Sequence, residues 1–555
     1  MTDKLDAVST GIMWDRLIAI TDEIQTAIVR SAFSVGVREA WDLACIIFDA
    51  EGRSIAQATL SMPAFIGTAP LTMAHMLARF PAETLAPGDV LATNDPWLGT
   101  GHTPDICVAR PVFRDGRVVA FVMTITHLPD IGGAGLNIAN PDLHHEGIIL
   151  PICKLYEAGR PDALVHDLVR LNVRSVDEVM GDIEANVVGT DVGARLIGEF
   201  MDDYALDDLA PLADAIIGQS EAALRARLSA IPDGRYDGAV RLEGVDDDVD
   251  IVCSVTIEGD RATVDFEGTG PMVASAINVP FCYTRSFTTY ALKCLLIPGI
   301  PNNQGAIRPI TVTAPEGCIL NARKPAPTGG RHTVGWFIVP AIFGALAPVL
   351  GDAVQADAGM ASLMLVTAAS PSGRDVVTQY FLAGGLGAMC GKDGQTAVPF
   401  PTNNAVVATE IFERETGIRV LYRRLIPDTG GIGRWRGGLG QEARLCNHGP
   451  GTATIDIFGL RTRFPARGFD GGGNGARRVF LVNDVPIPPK GRFRLATGDT
   501  LTIREAGGGG FGDPHQRDPA AVAEDIAWGR VSTEAALRDY GVRVDPETGT
   551  THRQD

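Results

Sequence analysis

Histidine is scarce in this 555-residue chain, yet four of its ten histidines, His102, His127, His144 and His145, lie between positions 102 and 145. His102 stands in GHTPD with Asp105 three residues on, and His127 stands in ITHLPD. Two imidazoles and one carboxylate are a ligand set that leaves open positions on Zn²⁺, Mn²⁺ or Fe²⁺. There a water or a substrate oxygen can bind and be polarised. The competing reading is plainer: polar residues at strand ends, bonded to backbone.

The elements that must bring these residues together are two β-rich runs, ICVARPVF and VVAFVMTI, around Arg114-Asp115-Gly116-Arg117. An Asp-Gly pair between apolar runs is a hairpin turn signal. A regular ladder closed by that turn sets His127 opposite Pro104, on the face of His102, with direct neighbours roughly 5 Å apart. Asp105 then points to the other face unless the strand is irregular, which Pro104, lacking an N–H, permits. The ladder therefore asks for a carboxylate from another segment as the third ligand.

Other motifs carry less. Gly507 to Gly512, GGGGFG, formally fits GxGxxG after TLTIREA. Asp513-Pro514 follows it, however, and puts an acid where a pyrophosphate would meet a helix N-terminus, so a structural turn is the better reading. No GxxxxGK[ST] phosphate loop and no GxSxG nucleophile elbow occurs. Cys107 lies within an apolar strand and is expected to pack the core. Asp130 and Glu146 neighbour the histidines and are candidate acid/base groups, although a solvated loop carboxylate is the simpler reading of each.

A length of 555 residues implies several domains, since single cores stop growing near 250–300 residues. With 45% hydrophobic and 21% charged residues the composition is that of a globular enzyme, and the formal charge of −19 argues against nonspecific nucleic-acid binding. The N-terminus has no basic stretch followed by an apolar run, and no apolar run reaches about 18 residues. The expectation is a cytoplasmic protein without a membrane span. Nine cysteines, widely spaced and without a CxxC pair, fit reduced thiols.

Helical periodicity marks Trp14 to Phe33, Ala69 to Phe80, the stretch from Asp162 to Arg227, Tyr283 to Leu296 and Thr333 to Leu350. Strand patterns mark Leu43 to Phe48, the hairpin, and much of the chain after Asp233. The predicted class is α+β: an N-terminal mixed sheet with helices, then largely antiparallel β regions with glycine-rich loops, and short C-terminal helices. The expected divisions are 1–230, 231–370, 371–515 and 516–555.

Read as an ordered series, the blocks REAWDLACIIFDAEGR, GDVLATNDPWLGTGHTPDICVARPVF, ITHLPDIGG, EGIILPICKLYEAGRP, NVRSVDEVMGDIEAN, VDFEGTG, PGIPNNQGAIRPI, RWRGGLG and GGGGFGDPHQRDPAAVAEDI resemble the hydantoinase B family almost end to end. That family comprises the B-type component of N-methylhydantoinase, the C-terminal half of 5-oxoprolinase, lactam-hydrolysing relatives and the alpha-type components of acetone and acetophenone carboxylases. The resemblance implies a hetero-oligomer, such as a dimer of heterodimers. Its hydantoinase A-type partner takes up ATP and phosphorylates the substrate, and the B-type component completes hydrolysis of a cyclic amide or, alternatively, carboxylation of a ketone. A third possibility is a non-catalytic scaffold.

Carried over residue by residue, the resemblance places the divalent metal, Zn or Mn, on Asp42 of REAWDLA, His102 and Asp105 of GHTPD, and His127 of ITHLPD. Asp42 thereby supplies the distant carboxylate, and His127 and Asp105 are the expected catalytic groups. The chain departs from the usual family pattern at REAWD, LPDIGG and DLHHEG, loops expected to shape the substrate pocket.

Overall fold

The computed structural model describes residues 6–545 apart from 372 and 374, together with 551–553; residues 1–5, part of the N-terminal stretch considered above, lie outside the described residues. The chain forms two compact units, each discontinuous in sequence. One takes the chain to Gly238, then Ile251–Ile342 and Asn403–Ala405; the other takes Ala239–Asp250, Phe343–Thr402 and the chain from Val406 onward.

The first unit opens with α1 (Ala7–Ser31), started by the Asp6 carboxylate, which accepts from Ser9 N–H at 2.7 Å, and a short α2 (Val35–Arg38). Its main sheet contains β1 (Leu43–Asp49), β2 (Ser54–Gln57), β3 (Val90–Thr93), β4 (Asp105–Arg114), β5 (Arg117–His127), β6 (Cys153–Glu157) and β7 (Arg160–Pro161). The order across the sheet is β2-β1-β5-β4-β3-β6-β7, every pair antiparallel. The remaining helices of interest are α3 (Phe65–Arg79), α4 (Ala163–Asn172), α5 (Val176–Asp203), α6 (Ala210–Leu228) and α7 (Phe281–Leu296).

Both faces of the central strands are covered, so β1 reads as a continuous apolar run, with its two faces told apart only by the two-residue alternation. Leu43, Cys45 and Ile47 join Val122 in a core with α1, α5 and α6. Ala44, Ile46 and Phe48 join Cys107, Met123 and Ile125 under α3. Gly189 and Gly193 let α5 lie close to α1: a Cβ on Gly189 would come within 2.5 Å of Ile28, and one on Gly193 within 2.6 Å of Ile24. On the opposite face α3 meets α7, where Gly67 N–H donates to Ser286 Oγ at 2.9 Å.

The second unit holds a sheet of Asp375–Ala383, Ala361–Ala369, Ala453–Phe458 and Lys490–Leu495, and another built on Ile418–Leu425, Gln441–Asn447, Thr500–Arg504 and Val479–Val482. Gly507–Gly510 is neither a phosphate cradle nor a turn. It is a thread hemmed in by neighbouring backbone: Cβ atoms there would fall within 1.8–2.1 Å of the carbonyls of Thr429, Leu386, Arg467 and Ile432. Gly431 N–H donates to Gly508 O, while Gly508, Gly509 and Gly510 N–H donate to Gly438, Asp357 and Gly473 carbonyls. The glycines are there because no side chain fits between these threads. The two C-terminal helices are Pro519–Ala527 and Thr533–Tyr540.

The run His332–Ala353 is helical, long and apolar enough to cross a membrane by length and composition, but 67% of its most apolar window is buried inside the protein. It is a core helix by that measure.

Candidate metal centre

The hairpin turns at Asp115-Gly116, whose φ values of 49° and 78° are those of a tight I′ turn. Near the turn the register is the one the sequence predicts, with Arg114 opposite Arg117 and Phe113 opposite Val118. A bulge then intervenes between Val112 and Phe113: Val112 pairs with Ala120, and Val119 has no partner. From there to the open end every pair is displaced by one residue, so Asp105, not Pro104, lies opposite His127. The expectation that Asp105 points away from the histidines is thus corrected. One extra residue in a strand shifts the register of everything beyond it, and this bulge lies at the turn end, far from Pro104.

His127 sits on the middle strand of three. On its other side β1 runs antiparallel with Leu43 opposite Thr126, and His127 N–H donates to the Asp42 carbonyl at 3.2 Å. The row Asp42, His127, Asp105 therefore runs from the residue just before β1, across the end of β5, to the start of β4. His102 reaches it from the loop before β4, and the ring centroids of His102 and His127 are 5.2 Å apart. Among the described residues, His102, Asp105 and His127, all buried, are the group whose ligand atoms lie within 4.8 Å of one another; the expected ligand Asp42 is not in that group.

Hydrogen bonding assigns the tautomer of His102. Its Nδ1 lies 3.1 Å from the Gly329 carbonyl, which can only accept, so Nδ1 carries the hydrogen and Nε2 a lone pair. That Nε2 is 2.7 Å from Asp105 Oδ1 and forms no hydrogen bond of acceptable geometry. Burial, helped by the Arg331 cation, lowers the pKa of His102 to about 4, so the ring is neutral near pH 7. Two lone-pair atoms thus face each other in a buried site, an arrangement that calls for a cation between them. The donor chemistry fits a divalent metal, with the far nitrogen held by a carbonyl as metal-binding histidines usually are.

The carboxylate is built for the same task. His127 Nδ1 is 3.0 Å from Oδ1, while Oδ2 accepts from Thr100 Oγ1 at 2.6 Å and from Arg331 Nη2 at 3.0 Å. Burial opposes its charge, yet its hydrogen-bonded and cationic neighbours outweigh burial and hold Asp105 well below the usual carboxylate range. Burial likewise opposes protonation of His127, yet its hydrogen bond to Asp105 and the Asp42 charge leave its pKa raised. Asp42 is the reverse case: burial raises its pKa more than His127 lowers it.

Sequence reasoning missed Arg331. It is 5% exposed, stacks over the Tyr283 ring at 4.3 Å, and donates through Nε to the Thr100 carbonyl at 2.8 Å. PTGGRH carries no local mark of that burial, because the partners of Arg331 lie 231 and 226 positions away along the chain. Gly101, with φ 97°, is where the loop passes this side chain; a Cβ there would sit 2.8 Å from Arg331.

The other candidates fall elsewhere. Asp130 and Glu146 are both buried, so the simpler reading of them as solvated carboxylates is corrected. Asp130 accepts from Gly132 N–H and pairs with Arg174 at 2.7 Å, a loop-tying role. Glu146 accepts from Thr328 N–H at 2.5 Å and Gly329 N–H at 2.6 Å. His144 and His145 are exposed in a short 3₁₀ turn, where His145 pairs with Asp142. Cys107 is buried in β4, as its apolar setting predicts.

Residues 6–514 match the family described as hydantoinase B/oxoprolinase. The chain is 29% identical over 570 residues to a protein of Pseudomonas sp. (strain NS671) named as the putative B component of a D-/L-hydantoinase, covering 98% of this chain and 96% of that one. It is 30% identical over 575 residues to the beta component of caprolactamase from Pseudomonas jessenii, covering 94% and 96%. A crystal structure of the ATP-dependent caprolactamase from that organism superposes with a TM-score of 0.89 at 27% identity, over 98% of this chain and 97% of that one. A nucleotide-free acetone carboxylase structure, at 20% identity and a TM-score of 0.83 over 98% and 81%, shares the fold.

Proposed function

Because the chain belongs to the hydantoinase B/oxoprolinase family, we propose that it is the B-type component of an ATP-dependent cyclic-amide hydrolase, with a divalent metal, Zn or Mn, at its active site. His102, Asp105 and His127 hold the metal and Asp42 completes the set. In this reading an A-type partner takes up ATP and phosphorylates the amide oxygen of the substrate. This chain then opens the ring. The relatives named as B or beta components, and as ATP-dependent, support that division of labour. So does the lack of a phosphate loop in the sequence.

The observation that carries the metal reading is the convergence of His102, Asp105 and His127 in a buried site, with His102 Nε2 2.7 Å from Asp105 Oδ1 while its Nδ1 faces the Gly329 carbonyl. A divalent cation held there supplies Lewis acidity, polarising an oxygen of the activated amide. Around it the chain's own groups have separate tasks. Asp105 contributes charge through Oδ1 while Arg331 and Thr100 hold Oδ2 and so fix the carboxylate plane. His127 Nδ1 lies on Asp105 Oδ1 at 3.0 Å, which fixes its ring and leaves Nε2 as the nitrogen not engaged by that carboxylate.

The test is reconstitution with the A-type partner, ATP and Mn²⁺ or Zn²⁺ against hydantoin, 5-oxoproline and caprolactam. Phosphate release should keep step with ring-opened product. His102→Ala and His127→Ala should each lower turnover by more than about a hundredfold, beyond the usual effect of an outer-shell change. Full activity in both variants would sink the metal reading. Incorporation of labelled bicarbonate into a ketone, without ring opening, would replace hydrolysis by carboxylation.

A further inference from the structure

The segment Thr328–Arg331 serves two members of the triad at once. Its Gly329 carbonyl takes His102 Nδ1–H, and its Arg331 guanidinium takes Asp105 Oδ2. Something must hold this glycine-containing turn still, because its Gly329-Gly330 pair is the least constrained type of backbone. One side is held by Gly330 N–H, which donates to the Ala276 carbonyl at 2.7 Å. The other side is held by Glu146. Its Oε1 accepts from both Thr328 and Gly329 N–H, and its Oε2 lies 3.3 Å from Thr328 Oγ1.

We infer that Glu146 is a positioning residue for the metal centre: its side chain clamps the Thr328–Gly329 backbone so that the Gly329 carbonyl presents His102 with Nε2 toward Asp105. The inference rests on the metal reading above. Glu146 is 1% exposed, and its hydrogen bonds are to neutral groups of that turn and to no cation. Burying a carboxyl group on backbone donors is unfavourable unless its hydrogen bonds are strong and well aligned. Those bonds end at the turn that orients the histidine. The fit is close, since a Cβ on Gly329 would lie 3.4 Å from Glu146 Oε1 and 3.2 Å from Leu136. What the turn requires from position 146 is an acceptor at that reach, which a glutamine also provides.

Titration of the metal-free full-length protein with Co²⁺, followed by its visible d–d absorption, separates the possibilities. Changes in groups that orient a metal ligand weaken binding by about 10–100-fold, so Glu146→Ala should fall in that range with an altered spectrum, while Glu146→Gln should stay within about threefold of wild type. Thermal melts of the metal-free variants report whether each is folded. Should Glu146→Ala fail to fold, Glu146→Asp carries the comparison: it keeps the charge, loses one methylene of reach, and should also bind Co²⁺ at least about tenfold more weakly. Wild-type affinity in a folded Ala or Asp variant overturns the inference, as does a Gln variant as weak as the Ala variant. Absence of stoichiometric Co²⁺ binding by the wild type would instead overturn the metal reading itself.

Discussion

Asp105 is the residue on which most of the centre's interactions meet. One oxygen faces both imidazoles and the other is bound by Arg331 and Thr100. The Arg331–Asp105 pair is buried at both ends. Removing one partner of a buried ion pair strands the other charge, so Arg331→Met should destabilise the metal-free protein by about 3–5 kcal/mol in urea denaturation. A loss below about 1 kcal/mol, the range of exposed pairs, would show that the pair contributes little. Glu146 gives a second prediction. In the unfolded chain its pKa is near the ordinary 4.5, and burial in the fold pushes it up to about 7. The folded state holds the proton more tightly, so this group's contribution is fully present below the unfolded value and is lost as pH rises through the folded one. The stability of wild type relative to Glu146→Gln should therefore fall between about pH 4.5 and pH 7 and level off above. A difference constant across that window in denaturation curves would contradict it. The histidines could be picked out beforehand because histidine is rare here and clustered, and Asp105 because it stands three residues from one of them. Arg331 and the buried state of Glu146 could not, since both depend on a segment nearly two hundred positions downstream of Glu146 folding back.

The β4–β5 hairpin and α5 show how far element patterns reach. Apolar runs around Asp-Gly are enough to predict the hairpin and its turn. They say nothing of the unpaired Val119, because a bulge residue is as apolar as its neighbours and leaves no mark in composition. Strict alternation from the turn therefore mis-sets the face of Asp105 by one residue. Helix α5 is similar: its periodicity was readable, but its glycines have unlike tasks. At Gly193 a Cβ would press on Ile24 and Val122, whereas at Gly198 nothing lies within 4 Å. Gly193→Ala should cost about 1–3 kcal/mol as overpacking does. Gly198→Ala should add roughly 0.5–1 kcal/mol, the usual gain of alanine over glycine in a helix. Thermal denaturation of the two variants checks the pair, and equal shifts would contradict the close packing of α5 on α1.

Across the whole molecule, the glycine-rich run 507–512 has its backbone donors taken by neighbouring threads, and the sequence holds no phosphate loop elsewhere. The chain alone, supplied with ATP, Mn²⁺ and a cyclic amide, should therefore release no phosphate above background. Phosphate release by the purified chain would remove the need for an A-type partner. Length, the order of short motifs and the apolar periodicities were sufficient for the family and the α+β class, because these depend on residue type and local spacing alone. Folding settled three matters that local spacing could not. It made the two units discontinuous, sending Asn403–Ala405 back to join the first. It turned Asp105 toward His127 through a bulge. It also closed the centre with Arg331 and Glu146, through contacts between residues more than a hundred and eighty positions apart. Such contacts arise from the packing of whole elements, and no window along the chain contains both partners.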